Sequence, residues 1–449
     1  MKLKTLFSMA GISFLAMAAL PAQLTAQGGS ATSERNGGPT HYNLTDLGVV
    51  GPPPGQPFHL TDNSLITGSE AVGNAEHAIL QYRRLTLDIG ARGLGGANSV
   101  SFGINRWAQA VGGADTHTPD PLGEDFCGFA TLGFASGTRC LPFLWQNGVM
   151  RALPTLKDKS GQHGNNGAAN VINGYGEVTG DSENTTLDPT CPPYDPSKGQ
   201  TQKLQQKPVI WRAGRVYELP VIGGDPDGDA LAINDRGQVA GGTGTCAAFN
   251  LNNFIAIQFA HAVLWDNGKP IDLGNLGGQF NNLATGINEH GDVVGSSDVA
   301  NDATTNGFLW TKEKHHMDPL LPVDTDILSV ALAVNDKREV TGVSLQASFL
   351  PRAVLWHHEV PFDLNTLIPS SSRLFLMTAC SVNDSGQIVG LAVDSNGVFH
   401  GYLATPRGDR DSHDAALDGP MKLSDNVREM VRKQLHFDHS ASGSRKTAP

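Results

Sequence analysis

The amino-acid sequence predicts an all-β fold, a seven-bladed β-propeller of four-stranded antiparallel blades, and three observations support this prediction. The 449-residue chain has 53 Gly and 26 Pro but only 17% charged residues, which is typical of short strands joined by tight turns. The segment AINDRGQVAGG, residues 232–242, recurs along the chain in related forms. Each copy precedes an apolar run such as HAVLW, and a unit of roughly 45 residues is the size of a propeller blade.

The repeated turn separates the first two strands of each unit, named a and b. Asn opens a β-turn by bonding its own backbone, and Gly three residues later supplies a positive φ. Ser64, Ala108 and Arg338 replace this Gly, so we expect their turns to differ in type. The turn residue is Asn in six units and Thr in a seventh: Thr61, Asn105, Asn173, Asn234, Asn288, Asn335 and Asn383.

The third and fourth strands, c and d, follow as HAVLW and PIDLG in the unit that contains Asn234. A continuous apolar run predicts a strand buried on both faces between stacked sheets. Trp recurs at one position of strand c, which predicts packing against the next repeat rather than ligand stacking. The five positions are Trp145, Trp211, Trp265, Trp310 and Trp356.

The two ends of the repeat region predict a closed ring. The chain begins its repeats with YNLTDLG from Tyr42, a strand d with nothing before it, and ends them with HGYLA from His400, a strand c with nothing after it. Residues 42–48 would therefore complete a seventh blade built from residues 376–405. Closure removes the exposed sheet edges that an open array would need to cap.

The repeat also resembles a known family. The order I-N-x-x-G-x-V-V-G, H-A-x-L-W and D-L-G-x-L-G-G resembles the secreted bacterial HAF-repeat family, named for its His-Ala-Phe triplet. Residues 261–265 and 271–278 form the closest copy, and the similarity spans residues 42–405. Leu141-Pro142 and Lys207-Pro208 replace His-Ala in the second and third repeats. The resemblance implies an extracytoplasmic location and no particular reaction.

The remaining segments predict an exported protein, periplasmic or extracellular. Residues 1–26 read as a signal peptide, because Lys2 and Lys4 precede an apolar run and small residues end at Ala26. An uncleaved anchor is the alternative. Residues 27–41 read as a flexible segment, residues 42–406 as the propeller, and residues 407–449 as a polar tail. One amphipathic helix is expected in the tail at about residues 423–436, either docked on the propeller or frayed.

Five cysteines in an exported chain predict two disulfides and one cysteine left over. Cys127 and Cys140 bracket one Gly-rich loop, while Cys191 and Cys246 lie in corresponding loops of successive repeats. We predict the pairs Cys127–Cys140 and Cys191–Cys246. Cys380 is left in a buried strand, where a thiol behaves as a small hydrophobe.

The connection between strands b and c predicts where a ligand binds. It is long in repeats two, three and four, at residues 113–140, 181–207 and 242–260, and short elsewhere. In an antiparallel blade the b–c and d–a connections leave from one face, so the insertions share that face. Long loops on a rigid scaffold often carry function. The insertions hold the candidate ligand-contacting aromatics Phe126, Phe129, Phe134, Tyr194, Phe249 and Phe254.

The leading functional hypothesis is a non-catalytic, monomeric binding scaffold for a protein or a glycan, and no catalytic residue is assigned. The alternative is a propeller glycoside hydrolase or lyase with carboxylates at the channel mouth. A net charge of −12 without a basic stripe argues against nucleic acid and anionic lipid as partners. No stretch after residue 26 approaches 18 apolar residues, so the mature protein is not expected to insert into a membrane. No cofactor is expected; Asp225, Asp227 and Asp229 could bind calcium, although an acidic turn without metal is favoured.

Overall fold

The computed structural model describes residues 38–50, 56–83, 85–129, 133–191, 203–249, 254–408 and 421–434. The predicted signal peptide and residues 27–37 of the predicted flexible segment lie outside them. These residues form seven four-stranded antiparallel sheets arranged as the blades of a β-propeller, which confirms the predicted fold. No helix in the described ranges is both long and apolar enough to cross a membrane.

In each blade strand a lies innermost and strands b, c and d follow outward. Blades 1 to 3 comprise β2 (Gln56–Leu60), β3 (Leu65–Val72), β4 (Ala75–Tyr82) and β5 (Leu85–Asp88); β6 (Gly95–Ile104), β7 (Ala110–Pro119), β8 (Thr138–Gln146) and β9 (Val149–Ala152); and β10 (Gly167–Ile172), β11 (Val178–Leu187), β12 (Leu204–Arg212) and β13 (Arg215–Glu218).

Blades 4 to 6 repeat the same order. They comprise β14 (Asp227–Ile233), β15 (Val239–Phe249), β16 (Phe254–Asp266) and β17 (Lys269–Asp272); β18 (Leu283–Ile287), β19 (Val293–Asp298), β20 (Thr305–Trp310) and β21 (Met317–Leu320); and β22 (Leu328–Val334), β23 (Val340–Leu345), β24 (Pro351–His357) and β25 (Val360–Asp363).

Blade 7 joins the two ends of the propeller, as predicted. Its inner strand is split into β26 (Leu374–Leu376) and β27 (Ser381–Val382), followed by β28 (Ile388–Asp394) and β29 (Phe399–Pro406). The N-terminal strand β1 (Tyr42–Val49) pairs antiparallel with β29, with Tyr42 opposite Pro406. Tyr42 is buried in the core of this blade, so the N-terminal strand is an integral part of the ring.

The a–b turns share one conformation, including those that lack the repeated Gly. Gly237 and Gly291 have φ of 74° and 86°. Ser64, Ala108 and Arg338 adopt nearly the same left-handed φ, 62°, 57° and 60°. The expectation that these three turns differ in type is therefore wrong. The side-chain bonds of the turn Asn or Thr impose the conformation even where the residue has a Cβ.

The repeated Trp packs against the preceding blade, not the next one as predicted. The indole Nε1 of Trp211 donates to the Pro154 carbonyl at 2.8 Å, and that of Trp265 donates to the Pro220 carbonyl at 2.7 Å. Each acceptor lies just after strand d of the blade before. A buried indole N–H needs an acceptor, and this end of the preceding blade supplies one.

The three insertions lie on one face, here called the b–c face; the opposite face, with the a–b and c–d turns, is called the a–b face. Both predicted disulfides form, with Cα–Cα distances of 6.0 Å for Cys127–Cys140 and 4.7 Å for Cys191–Cys246. Cys380 is outside both. In blade 4 the predicted loop 242–260 is mostly strand, because β15 and β16 continue pairing to Phe249 and Phe254.

The predicted C-terminal helix is α1 (Asp425–Gln434), and it is docked. Leu423, Val427 and Val431 are buried in a cluster that includes Phe375 and Phe399 of blade 7. The helix therefore covers part of the b–c face on blade 7, beside the b–c turn of blade 6, away from the insertions of blades 2 to 4.

Candidate functional site

The central channel is shaped by an irregularity repeated in the innermost strands. In each of blades 1 to 6 the pairing of strands a and b shifts register by one residue, a β-bulge three positions before the turn Asn or Thr. Cys380 occupies the corresponding position in blade 7, between β26 and β27. These residues form a ring around the channel, here called the bulge ring: Phe58, Phe102, Asn170, Leu231, Thr285, Leu332 and Cys380.

The bulge ring forms the floor of an enclosed space, here called the chamber, with a volume of about 200 Å³. On the b–c side the Phe58 and Phe102 rings meet edge to face at 5.4 Å between centroids. They pack in one cluster with Phe129 and the Cys127–Cys140 disulfide of the blade 2 insertion. The insertion therefore covers the channel floor over blades 1 and 2, and the chamber widens toward the a–b face.

A belt of asparagine side chains surrounds the channel at the a–b turns. Asn234 Nδ2 donates to the Asn288 carbonyl of the next blade at 3.0 Å, and Asn288 Nδ2 donates to the Asn335 carbonyl at 3.1 Å. The Oδ1 of Asn234 accepts the backbone N–H groups of Arg236 and Gln238 within its own turn. The repeated Asn thus has two roles, turn former and blade linker, and sequence reasoning identified only the first.

A carboxylate arc lies one residue beyond the belt, on the mouth of the channel. Asp235, Glu289, Asp336, Asp384 and Asp62 come from blades 4, 5, 6, 7 and 1, so they occupy five consecutive blades. The backbone N–H of each of the first four donates to the carboxylate of the next, at 2.7 to 2.9 Å. Among the described residues, the second oxygens of Glu289, Asp336 and Asp384 accept no hydrogen bond, so they are available to a ligand.

Burial and the neighbouring negative charges raise the pKa values of two residues of the arc. Burial raises the pKa of Glu289, and the neighbouring Asp235 and Asp336 carboxylates raise it further. Burial likewise raises the pKa of Asp384, again with help from its neighbours Asp62 and Asp336. The arc therefore produces a negative electrostatic potential, and a bound cation would reduce the repulsion between its carboxylates.

Blades 2 and 3 break the arc. Gly174 takes the corresponding position in blade 3, and a Cβ there would lie 2.6 Å from Arg106 Nη2 and 2.8 Å from Asp235 Oδ2. The guanidinium of Arg106 from blade 2 crosses over Gly174 and meets Asp235 Oδ2 at 3.2 Å. Next to them Trp107 and Tyr175 are 65% and 75% exposed. The mouth therefore has an acidic side and an aromatic side.

The chamber below the mouth contains two polar atoms without partners. Asn170 is only 2% exposed, and its Oδ1 has no hydrogen bond. Its Nδ2 donates to Asp229 Oδ1 at 2.8 Å and to the Ala230 carbonyl at 3.2 Å, which fixes the orientation of the amide. The Nδ1 of His59 is also buried without a partner. Burial lowers the pKa of His59 to about 4, so the ring is neutral at pH 7.

The mouth has a volume of about 720 Å³ and shares wall residues with the chamber, among them His59, Val171 and Ile233. The two spaces therefore form one continuous site, open on the a–b face. Buried polar atoms are nearly always hydrogen-bonded, and leaving one unpaired costs free energy. A site that keeps two such atoms beside an open cavity is built to receive a hydrogen-bond donor.

The six aromatic residues that were predicted to contact a ligand on the b–c face do not all have the same environment. Phe129 is fully buried, and Phe126 and Phe134 pack against the same cluster, so these three rings form the core of the blade 2 insertion. Tyr194 lies outside the described residues. Phe249 and Phe254 are paired in the register of the β15–β16 hairpin, where the two strands adjoin the loop between them.

The predicted acidic turn is part of blade 4. Asp227 and Asp229 lie in β14 and are buried, while Asp225 precedes the strand. Asp225 Oδ2 accepts a hydrogen bond from Thr243 Oγ1 at 2.8 Å, and Asp227 Oδ1 accepts one from the Gln206 N–H at 2.9 Å. The three carboxylates therefore have separate protein partners.

Buried carboxyl groups also connect the insertions to the ring. Burial, followed by the neighbouring Asp188, raises the pKa of Asp227 to about 9, so Asp227 is protonated at pH 7. Burial raises the pKa of Glu183, with Glu124 of the blade 2 insertion as the next cause. Lys203 Nζ lies 4.0 Å from Glu124 and offsets part of this charge. Buried carboxyl groups with raised pKa values thus lie where the insertions of blades 2 and 3 meet the ring.

The fold and its channel define the class of the protein: a seven-bladed β-propeller whose described cavity opens on the a–b face. No family model matches the chain, and no curated protein matches it.

Several solved structures align with this chain at low similarity. A puromycin-hydrolysing peptidase of Mycobacterium tuberculosis aligns at 9% identity with a TM-score of 0.43, over 86% of this chain and 57% of its own. A gluconolactonase of Xanthomonas campestris aligns at 9% identity with a TM-score of 0.33, over 81% of this chain and 99% of its own. A protein of unknown function from Dyadobacter fermentans aligns at 12% identity with a TM-score of 0.36, over 68% and 94%.

Proposed function

We propose that this protein is an exported, non-catalytic binding protein whose small organic ligand enters the central channel from the a–b face. The observation that carries the proposal is the chamber of about 200 Å³ in which Asn170 Oδ1 and His59 Nδ1 lack partners. Ligand sites are concave and mostly apolar, with a few polar groups that fix orientation. Two disulfides support export, and the HAF-repeat resemblance supports the same location.

The ligand is therefore proposed to bind on the a–b face and not on the b–c face, where the insertions lie. The aromatic rings of the blade 2 insertion pack in the insertion's own core, and this core covers the channel floor. The a–b face combines the mouth, the exposed Trp107 and Tyr175, and the carboxylate arc. The insertions then serve mainly to close one end of the channel.

A chamber-filling substitution tests the proposal. Leu332 belongs to the bulge ring, and Leu332→Trp would occupy the chamber. Leu87→Trp is the matched control, since Leu87 lies on the outer strand β5 and is 50% exposed. A library of ring-sized fragments should give hits by ligand-observed NMR that persist in Leu87→Trp and vanish in a folded Leu332→Trp. Hits that all survive Leu332→Trp, or a library without hits, would rule out the channel site.

A hydrolase or lyase is the second candidate, because one observation favours it. Glu289 and Asp384 have raised pKa values and flank Asp336, and a glycosidase needs one carboxyl that donates a proton beside another that stays ionised. Turnover of aryl glycosides or uronic-acid polymers, lost in Asp336→Asn, would establish the enzyme. Absence of turnover together with fragment binding would leave the binding protein.

A further inference from the structure

The polar atoms that the channel offers to a ligand are acceptors. The Asn170 amide is held by Asp229 and Ala230, so only its Oδ1 faces the chamber. The neutral His59 ring keeps its Nδ1 buried without a partner, and Nδ1 is an acceptor in the tautomer that is protonated at Nε2. A ligand that satisfies either atom must bring an O–H or an N–H group to the chamber floor. Because the chamber wall is largely apolar, this group should be uncharged.

The other end of the ligand meets a different environment. The carboxylate arc contributes five acidic groups to the mouth, and Arg106 is the single cation at the same ring position. The unbonded oxygens of Glu289, Asp336 and Asp384 can accept hydrogen bonds. Arg236 and Lys337 act on Glu289 and Asp384 and offset part of this charge, and His290 Nδ1 lies 3.5 Å from Asp336 Oδ1, but the acidic groups of the mouth still outnumber the Arg and Lys side chains near them. The inner mouth therefore favours a positively charged group.

The space between the two ends fits an apolar ring. In each blade of the arc, the acidic residue comes four positions after the bulge-ring residue, a depth of up to about 13 Å in an extended chain. The wall at this level consists of aliphatic side chains such as Ile172, Ile233 and Val334. A chamber of about 200 Å³ is larger than the cavity of about 150 Å³ that is known to hold benzene in another protein.

We infer that the ligand is an aromatic amine, with a neutral hydrogen-bond donor at the end that enters the chamber and a protonated amine at the mouth. The neutral donor meets Asn170 Oδ1, the ring fills the apolar section, and the ammonium group lies against the carboxylate arc. This inference rests on the proposed binding function and specifies its ligand class.

Four related probes separate the parts of the inference by isothermal titration calorimetry. Tyramine has the phenol, the ring and the ammonium group. Tyrosol replaces the ammonium by a neutral hydroxyl, 3-(4-hydroxyphenyl)propionate replaces it by a carboxylate, and phenethylamine lacks the phenol. We expect tyramine to bind tightest and the carboxylate weakest, with a loss of about tenfold for phenethylamine because Asn170 Oδ1 stays unpaired.

Two substitutions that change the charge of the mouth in opposite directions separate an electrostatic effect on binding from a general loss of stability. Asp336→Asn should weaken tyramine about threefold, and Arg106→Gln should strengthen it about threefold, because each changes the charge of the mouth by one unit. Neither should alter tyrosol binding. Glu218→Gln on the outer strand β13 is the control and should alter nothing.

The outcomes distinguish the two proposals. Equal binding of tyramine and tyrosol, lost in Leu332→Trp, would overturn the amine inference and leave the channel site intact. Tyramine binding that survives Leu332→Trp would place the ligand elsewhere and overturn both. If none of the four probes binds, the amine inference is wrong, and the fragment library decides the binding function independently.

Discussion

Asn383 in blade 7 donates from its Nδ2 to the carbonyl of Thr61 in blade 1 at 3.1 Å, across the point where the chain closes the ring. The same side chain accepts the Gln387 N–H and donates to Gln387 Oε1. One residue therefore links the first and last blades and shapes its own turn. The other blades are linked in the same way, except that Thr61 has no amide and Asn63 Nδ2 reaches the Arg106 carbonyl instead.

Removing this link should weaken the closed ring. Asn383→Ala deletes three hydrogen bonds at a residue that is 4% exposed, so we expect a loss of about 1–3 kcal/mol in the free energy of unfolding. Asn396→Ala, in an exposed turn of the same blade, should change it by less than about 1 kcal/mol. Urea unfolding followed by fluorescence measures both. An equal effect of the two substitutions would show that the belt does not stabilise the ring.

The two disulfides should contribute unequally. Cys191–Cys246 joins residues 55 apart and Cys127–Cys140 joins residues 13 apart. The loop-entropy model gives about 4 kcal/mol for the first and about 3 kcal/mol for the second. Paired Cys→Ser variants should lower the melting temperature in that order. Peptide mapping should show only these pairs, with Cys380 alkylated after unfolding; Cys380 in a bridge would contradict the structure.

The buried carboxyl groups predict lower stability at alkaline pH. Burial raises the pKa of Glu76 to about 7, and burial with the contact to Asp188 raises that of Asp227 to about 9. In the unfolded chain both ionise near their ordinary values of about 4. Their contribution to stability is therefore complete below pH 4 and is lost as the pH rises through 7 and 9.

Asp227→Asn isolates one of these groups. Asparagine can still accept the Gln206 N–H but cannot ionise, so the variant should lose stability less steeply between pH 6 and pH 9, by about 3 kcal/mol at the upper limit. Glu218→Gln, on an exposed strand, should keep the wild-type slope. Guanidinium unfolding at a series of pH values measures this. Parallel slopes for Asp227→Asn and wild type would refute the raised pKa of Asp227.

Sequence reasoning predicted the architecture well because the repeated features are local. The Asn–Gly turn, the apolar strand c and the lone strand d at Tyr42 each identify an element within a few residues. The disulfide between Cys191 and Cys246 followed from placing two insertions on one face. Docking of α1 could not be predicted from the sequence, because the residues of blade 7 that pack against Val427 and Val431 come from distant segments of the chain.

Less of the candidate site could be predicted from the sequence. The arc residues occupy one repeat position, but Asp62 and Asp384 are 322 residues apart and become neighbours only when the ring closes. The bulge ring has no constant residue type, since Phe58, Asn170 and Cys380 are equivalent. A signal was present in the residue after each turn Asn, which is acidic in most repeats.

The most direct test of the central claim is the position of a bound ligand on the protein. A photoreactive aryl azide derivative of tyramine, irradiated with the full chain and mapped by peptide mass spectrometry, reports which residues surround it. The channel site predicts labelling of residues 58–63, 102–109 and 170–175, competed by unmodified tyramine and lost in Leu332→Trp. Competed labelling confined to the insertions at residues 113–140, 181–207 and 242–260 would contradict the account and place the ligand on the b–c face.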